Sequence, residues 1–171
     1  MRISLVIAVM LVFSLPRGGV CATDIVDDAN RAVKAQENGD THLAFELYSS
    51  VIDQKELKLG DSLLTYVLNN RAMIFMGQGL YDQAIADFDM AVAKKPDAQV
   101  LNNRGAAWKC KGDDDKAIAD FTQAIQLNPR YERAYVNRGY ALINKGKTQQ
   151  AMADFQMAKK LDPKMNLLEA Y

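Results

Sequence analysis

A single histidine, two cysteines and one tryptophan among 171 residues leave this chain little of a catalyst's equipment. A metal centre with the usual nitrogen and sulfur ligands needs three or four such groups to converge, and a thiol nucleophile needs a base beside it. Neither can be assembled from His42, Cys21 and Cys110. Charge of one sign is missing too: 21 basic and 21 acidic residues cancel to a formal net charge of zero. A balanced chain has no broad electrostatic footprint for nucleic acid or an anionic membrane. The ten glycines do not cluster as a phosphate-cradling loop requires. These absences predict no metal, no cofactor, no small-molecule substrate and no catalytic activity.

The first 22 residues read differently from the rest. Met1-Arg2 supplies a positive start, Ile3 to Leu15 an apolar run of about 13 residues, and Pro16-Arg17-Gly18-Gly19 a helix break. Val20-Cys21-Ala22 then has the small-x-small form read by a signal peptidase. A membrane-crossing helix needs about 20 apolar residues, so the run is too short to span a bilayer by itself. The expectation is a cleaved signal peptide over residues 1–22 and export to the periplasm of a bacterium or beyond. Gly18-Gly19-Val20 is a poor lipobox, so lipid attachment at Cys21 is not expected. Cleavage would remove Arg2 and Arg17, leaving 19 basic against 21 acidic residues and one thiol, Cys110. A lone thiol makes no internal disulfide, so stability must come from packing.

What the chain does have is a repeat. Ala84-Ile85-Ala86-Asp87-Phe88, Ala117-Ile118-Ala119-Asp120-Phe121 and Ala151-Met152-Ala153-Asp154-Phe155 begin 33 and 34 residues apart. Each is followed by an alanine (Ala91, Ala124, Ala158) and then a proline (Pro96, Pro129, Pro163). Each is preceded by a glycine (Gly79, Gly112, Gly146) and, seven residues earlier, a small residue (Ala72, Gly105, Gly139). Apolar residues recur at helical intervals on both sides of the central glycine, which ends one helix and permits the turn. Small residues let the paired helices approach closely. Phe88, Phe121 and Phe155 fill the space between one hairpin and the next, and proline stops the second helix. One hairpin cannot bury its own apolar faces, so the units must stack. A fourth, weaker unit occupies the N-terminus with Ala32, Gly39, Ala44, Tyr48 and Val51. Its 40-residue offset to the next places about six extra residues around Glu56 to Ser62, as a loop or a lengthened helix end.

Leu101, Arg104, Gly105, Trp108, Ala117, Phe121, Ala124 and Pro129 in one unit resemble the tetratricopeptide repeat. Tyr135, Arg138, Gly139, Leu142, Ala151, Phe155, Ala158 and Pro163 in the next resemble it equally. The resemblance implies an all-α, right-handed solenoid of four hairpins and about eight helices. The repeats would span about 25–58, 65–97, 98–131 and 132–165, with 166–171 a short cap. One stacking position reads Ile52, Val92, Ile125 and then Lys159, the charge marking a soluble end. If residues 166–171 fail to cover that end, it would favour a homodimer.

The departure from the family pattern is an arginine where leucine is usual. Asn30-Arg31, Asn70-Arg71, Asn103-Arg104 and Asn137-Arg138 recur, and Asp87, Asp120 and Asp154 are available to pair with the arginines, within a hairpin or between neighbours. The resemblance places Asn70, Asn103 and Asn137, and more weakly Asn30, on a concave groove, where an amide both donates to and accepts from a peptide backbone. The alternative is a row of solvated surface amides. Around it the same geometry sets Tyr66, Asn69, Met73 and Met76, then Gln99, Asn102, Lys109 and Cys110, then Arg133, Val136, Tyr140 and Asn144. The implied partner is a protein or peptide. A carboxylate clamp of the kind some relatives use would need lysines where Asn69 and Met73 stand, so that variant is not supported. Asp113-Asp114-Asp115 follows Gly112 and reads as a helix cap rather than a metal site. Cys110 reads as a small groove residue, with a mixed disulfide to a partner as the sharper alternative.

Overall fold

The computed structural model describes residues 22–54 and 60–164. Residues 1–21 of the expected signal peptide, residues 55–59 with most of the expected extra segment, and residues 165–171 with the expected C-terminal cap lie outside the described residues. Eight helices follow in order: α1 (Ala22–Glu37), α2 (Thr41–Asp53), α3 (Asp61–Gly77), α4 (Tyr81–Lys94), α5 (Ala98–Cys110), α6 (Asp114–Leu127), α7 (Glu132–Asn144) and α8 (Thr148–Leu161). Among the described residues there is no strand. Each odd-numbered helix pairs with the next even-numbered one, and the four hairpins stack as an α-solenoid.

The hairpin turns are set by glycine. Gly39, Gly79, Gly112 and Gly146 have φ of 83°, 73°, 83° and 72°, a region that costs a side-chain-bearing residue strain. Each closes the same pair of backbone bonds. In the third hairpin Gly112 donates to Lys109 O at 2.9 Å and Asp113 to Trp108 O at 2.9 Å, satisfying carbonyls the helix end would leave orphaned. Asp40 and Asp113 then cap α2 and α6 through the amides of Leu43 and Lys116. The Lys116 ammonium and amide hold the Asp113 carboxyl below its ordinary pKa. The second helices α4, α6 and α8 end just before Pro96, Pro129 and Pro163.

The core follows the small residues. A Cβ built on Gly105 would lie 2.7 Å from Phe121 Cε1, and one on Gly139 would meet Phe155 more closely still. The aromatic of each second helix therefore packs into the gap left on its own first helix, not only between hairpins. Phe121 also belongs with Ala141 of α7, and Phe88 with Val100 and Ala107 of α5, so each core spills onto the following hairpin. Phe155 has no following hairpin among the described residues and is only half-buried. In the register of half-buried Ile52, Val92 and Ile125, Lys159 is exposed. The extra length near residue 60 is in part helix: α3 has 17 residues against 13 in α5 and α7. Because α3 touches α5 and α5 touches α7, the first helices line the inner side of the stack.

Candidate functional site: an inner face built on an amide row

The arginines prove to be the rivets of the solenoid. Arg71, Arg104 and Arg138 each grip the aspartate of their own hairpin with two nitrogens. Arg104 Nε and Nη2 donate to Asp120 Oδ2 and Oδ1 at 2.8 and 2.6 Å, and Asp87 and Asp154 are held alike. The third nitrogen reaches back to the preceding hairpin: Arg71 to Ser49 Oγ, Arg104 to Asp89 Oδ1 and Arg138 to Thr122 Oγ1. Only a planar fork with donors on three sides can do both. The bonds to Asp120 and Asp154 raise the Arg104 and Arg138 pKa values further. In the first hairpin the aspartate is replaced by Leu47, and Arg31 pairs locally with Asp28 instead.

A second set of ties runs along the inner side. Asn137 Nδ2 donates to Asn102 Oδ1 at 2.8 Å, and Asn103 Nδ2 donates to Asn69 Oδ1 at 3.0 Å. Longer contacts of 3.5 Å join Asn102 to Asn103 and Asn69 to Asn70. The result is one directional row from Asn137 to Asn70 crossing the second and third hairpin junctions, an arrangement in which each bond polarises the next. The Tyr48 hydroxyl, at the first junction, donates to Gln36 Oε1 at 3.1 Å. Burial pushes the Tyr48 pKa well up, so the phenol stays neutral and keeps its proton for Gln36.

The row divides the sequence-predicted residues into two layers. Asn69 and Asn102, 7% and 5% exposed, lie behind the surface as acceptors for the next hairpin. Asn70, Asn103 and Asn137 are half-buried at the surface, each with one hydrogen-bonding edge committed to the row. In the same register as Asn69 and Asn102 stand Ala29 and Val136, both buried. Val136, expected on the groove, is thus corrected to a core position: no described hairpin follows to require an amide there. Asn30 is exposed and outside the row.

Tyr66 and Met73 are 37% and 41% exposed on α3, and Arg133 is exposed on α7. Tyr140 is half-buried, tilted on Phe155 with ring centroids 5.1 Å apart, and Lys109 Nζ stands 5.2 Å from its ring. Gln99, Cys110 and Asn144 are exposed, and Met76 is half-buried. Asn144 and Lys145 reach Asp114 and Asp115 of the preceding hairpin, while Lys111 reaches Asp82. The Asp113-Asp114-Asp115 run is therefore a cap followed by two junction contacts. Asp115 raises the pKa of Lys145. Among the described residues no three histidine, cysteine or acidic side chains converge as metal ligands.

Comparison with known proteins agrees with this architecture. Residues 98–131 and 121–153 each match a family model of the tetratricopeptide repeat. No curated protein matches the chain. Among solved structures, MamA is 21% identical with a TM-score of 0.71, covering 81% of this chain and 73% of its own. The first such domain of Spaghetti (RPAP3), bound to the HSP90 peptide SRMEEVD, is 26% identical with a TM-score of 0.60, over 61% of this chain and 84% of that one. The second such domain of human RPAP3, in complex with the HSP70 peptide SGPTIEEVD, is 27% identical with a TM-score of 0.62, over 65% and 94%.

Proposed function

Because the chain is a tetratricopeptide repeat protein, we propose that it is a non-catalytic interaction module holding a peptide or partner protein along its inner face. The observation that carries this is the amide row. A free asparagine on a surface must lose its rotamer freedom when it grips a ligand. Asn103 and Asn137 have already lost it to the junctions, and with Asn70 beside them each keeps hydrogen-bonding capacity for a peptide backbone. Tyr66 and Met73 supply apolar contact area and Arg133 charge beside the row. That two neighbours of the same fold hold peptides lends this reading support.

The apolar leader supports a further placing of the module in the cell envelope, as an adaptor or assembly factor. N-terminal sequencing of the protein from its host should begin near Thr23, and an intact Met1 would count against export. The competing reading is a structural subunit joined through its outer face, where Met90, Leu127 and Met152 are exposed. A photoreactive residue placed at Tyr66 or Arg133 should cross-link the partner in the host, and one at Met90 or Met152 should not. Cross-links from the outer positions alone would refute the groove reading.

A further inference from the structure

We infer that the turn of the second hairpin is an apolar docking rim beside the inner face, anchoring a protein partner through large apolar side chains. It adds a contact region to the groove reading above. The other three turns are charged: Glu37 and Asp40 in the first, Lys111, Asp113 and Asp114 in the third, Lys145 and Lys147 in the fourth. The corresponding Gly77-Gln78-Gly79-Leu80-Tyr81 carries no charge. Two of its residues depart from the repeat. Leu80 precedes α4 where Asp40 and Asp113 precede and cap α2 and α6. Its backbone, φ −86° and ψ 60°, matches that of Asp40 (−81°, 75°) and Asp113 (−92°, 72°), yet leucine gives α4 no side-chain cap. A stabilising cap is thus forgone for an apolar side chain left 43% exposed. The fourth hairpin also lacks the cap, but with the exposed and charged Lys147. Gly77 stands where Glu37, Cys110 and Asn144 have side chains, and a Cβ built on it meets no heavy atom within 4 Å.

A cavity lies on each side of this turn. One of about 230 Å³ faces the first hairpin, where Gly77, Met73 and Ile74 stand against Gln36 and Thr41, and no lining residue is charged. The other, of about 360 Å³, faces the third hairpin, where Gly79, Leu80 and Tyr81 stand against Lys111. Lys111 is paired with Asp82 of the same wall, so neither cavity offers an uncompensated charge. A carboxylate or ammonium would lose its water here without a counter-charge, whereas an apolar side chain loses only water-exposed surface. The first junction is also less tied at this edge. Lys111 with Asp82 and Lys145 with Asp115 close the later junctions, and Gln78 and His42 hold those registers in the first. The occupant is a separate protein, because the rest of this chain joins the solenoid elsewhere. The start of α1, the link from α2 to α3 and the end of α8 all lie at the edge opposite the turns. The 17 residues of α3, at about 1.5 Å each, set the two edges about 25 Å apart.

The test is selection of displayed random dodecapeptides on the protein purified from its host, followed by fluorescence anisotropy of synthetic copies. Enriched peptides should share large apolar residues and no common charge. Leu80→Ser restores a cap on backbone already shaped for one. It should raise the melting temperature by about 2–4 °C while weakening these peptides about tenfold. Lys147→Ser, the same repair in the fourth hairpin, should stabilise alike and leave affinity unchanged. Gly77→Asn, which gives the second hairpin the side chain of the fourth, should also weaken the peptides about tenfold. Copies with their apolar residues replaced by alanine should no longer respond to either variant. Affinities unmoved by Leu80→Ser and Gly77→Asn, or a library without an apolar-anchored binder, overturn the rim inference. The groove reading survives that result if Asn103→Ala still weakens the selected peptides. Peptides that respond to Leu80→Ser but not to Asn103→Ala uphold the rim and count against the groove. Sedimentation of the free protein supplies the last outcome: a dimer that Leu80→Ser dissociates would make a second copy the occupant and overturn the proposal.

Discussion

Replacing Arg104 by leucine tests whether the arginine fork, rather than the apolar stack alone, holds the solenoid together. The substitution restores the residue the family prefers, so pattern alone predicts no harm. The structure predicts otherwise. Asp120 has a side chain only 8% exposed, and its carboxylate takes two charge-assisted bonds of 2.8 and 2.6 Å from Arg104. Removing the arginine strands that carboxylate, and breaking a buried pair from one side costs about 3–5 kcal/mol. Losing the bond to Asp89, whose side chain is 54% exposed, adds at most about 1 kcal/mol. Against a stability of roughly 5–15 kcal/mol for a domain, the loss is severe, and the melting temperature should fall by roughly 10–20 °C. Circular dichroism during urea and thermal unfolding reads it directly. The double variant Arg104→Leu/Asp120→Leu should recover most of the loss, since no charge is then stranded. A single-variant cost under about 1 kcal/mol, or a double variant no better than the single, would show that the pair behaves as a surface ion pair and refute the argument.

The amide row makes a similar prediction: Asn102→Val leaves Asn137 without its acceptor and should cost about 1–3 kcal/mol by urea unfolding, although valine already stands in that register at Val136. Gly139→Ala drives a methyl group into the Phe155 ring and should cost about 1–3 kcal/mol, whereas Gly77→Ala in open helix should be neutral or stabilising by up to about 1 kcal/mol; thermal melts of the two separate crowding from glycine's chain entropy. The raised Tyr48 pKa predicts that its contribution is fully present below about pH 10 and is lost as pH rises further, because the phenol ionises first in the unfolded chain. Urea midpoints from pH 8 to 11 should therefore fall more steeply for the parent than for Tyr48→Phe.

Much of this was open to reading along the chain, since the information needed lies within one 34-residue unit. A glycine between two runs of helical periodicity implies a left-handed residue at the turn, and Gly39, Gly79, Gly112 and Gly146 have that conformation. Alanine or glycine spaced against phenylalanine implies a close pair of helices, and Gly105 with Phe121 is such a pair. The recurrence of arginine with aspartate signalled an ion pair, because two charges that return in phase with a buried pattern need each other. Even the capping role of Asp113 follows from its place after Gly112.

What the sequence could not settle concerns one hairpin against the next, because that geometry is a rigid-body rotation set by the whole packed surface. The choice of Asp120 over its neighbours, and the reach of Arg104 back to Asp89, depend on that rotation. So does the amide row: Asn102 and Asn103 are adjacent in the chain, yet one is buried to receive Asn137 while the other reaches Asn69, 34 residues away. Periodicity placed Val136 and Asn102 on the same face and could not say that stacking would bury both. The cavity beside Gly77 is likewise a tertiary fact, since an absent side chain makes a space only where the neighbouring hairpin fails to fill it. The sequence by itself determined how many hairpins there are and where each one turns. Only the stacked structure decided which polar groups are spent on the junctions and which remain for a partner.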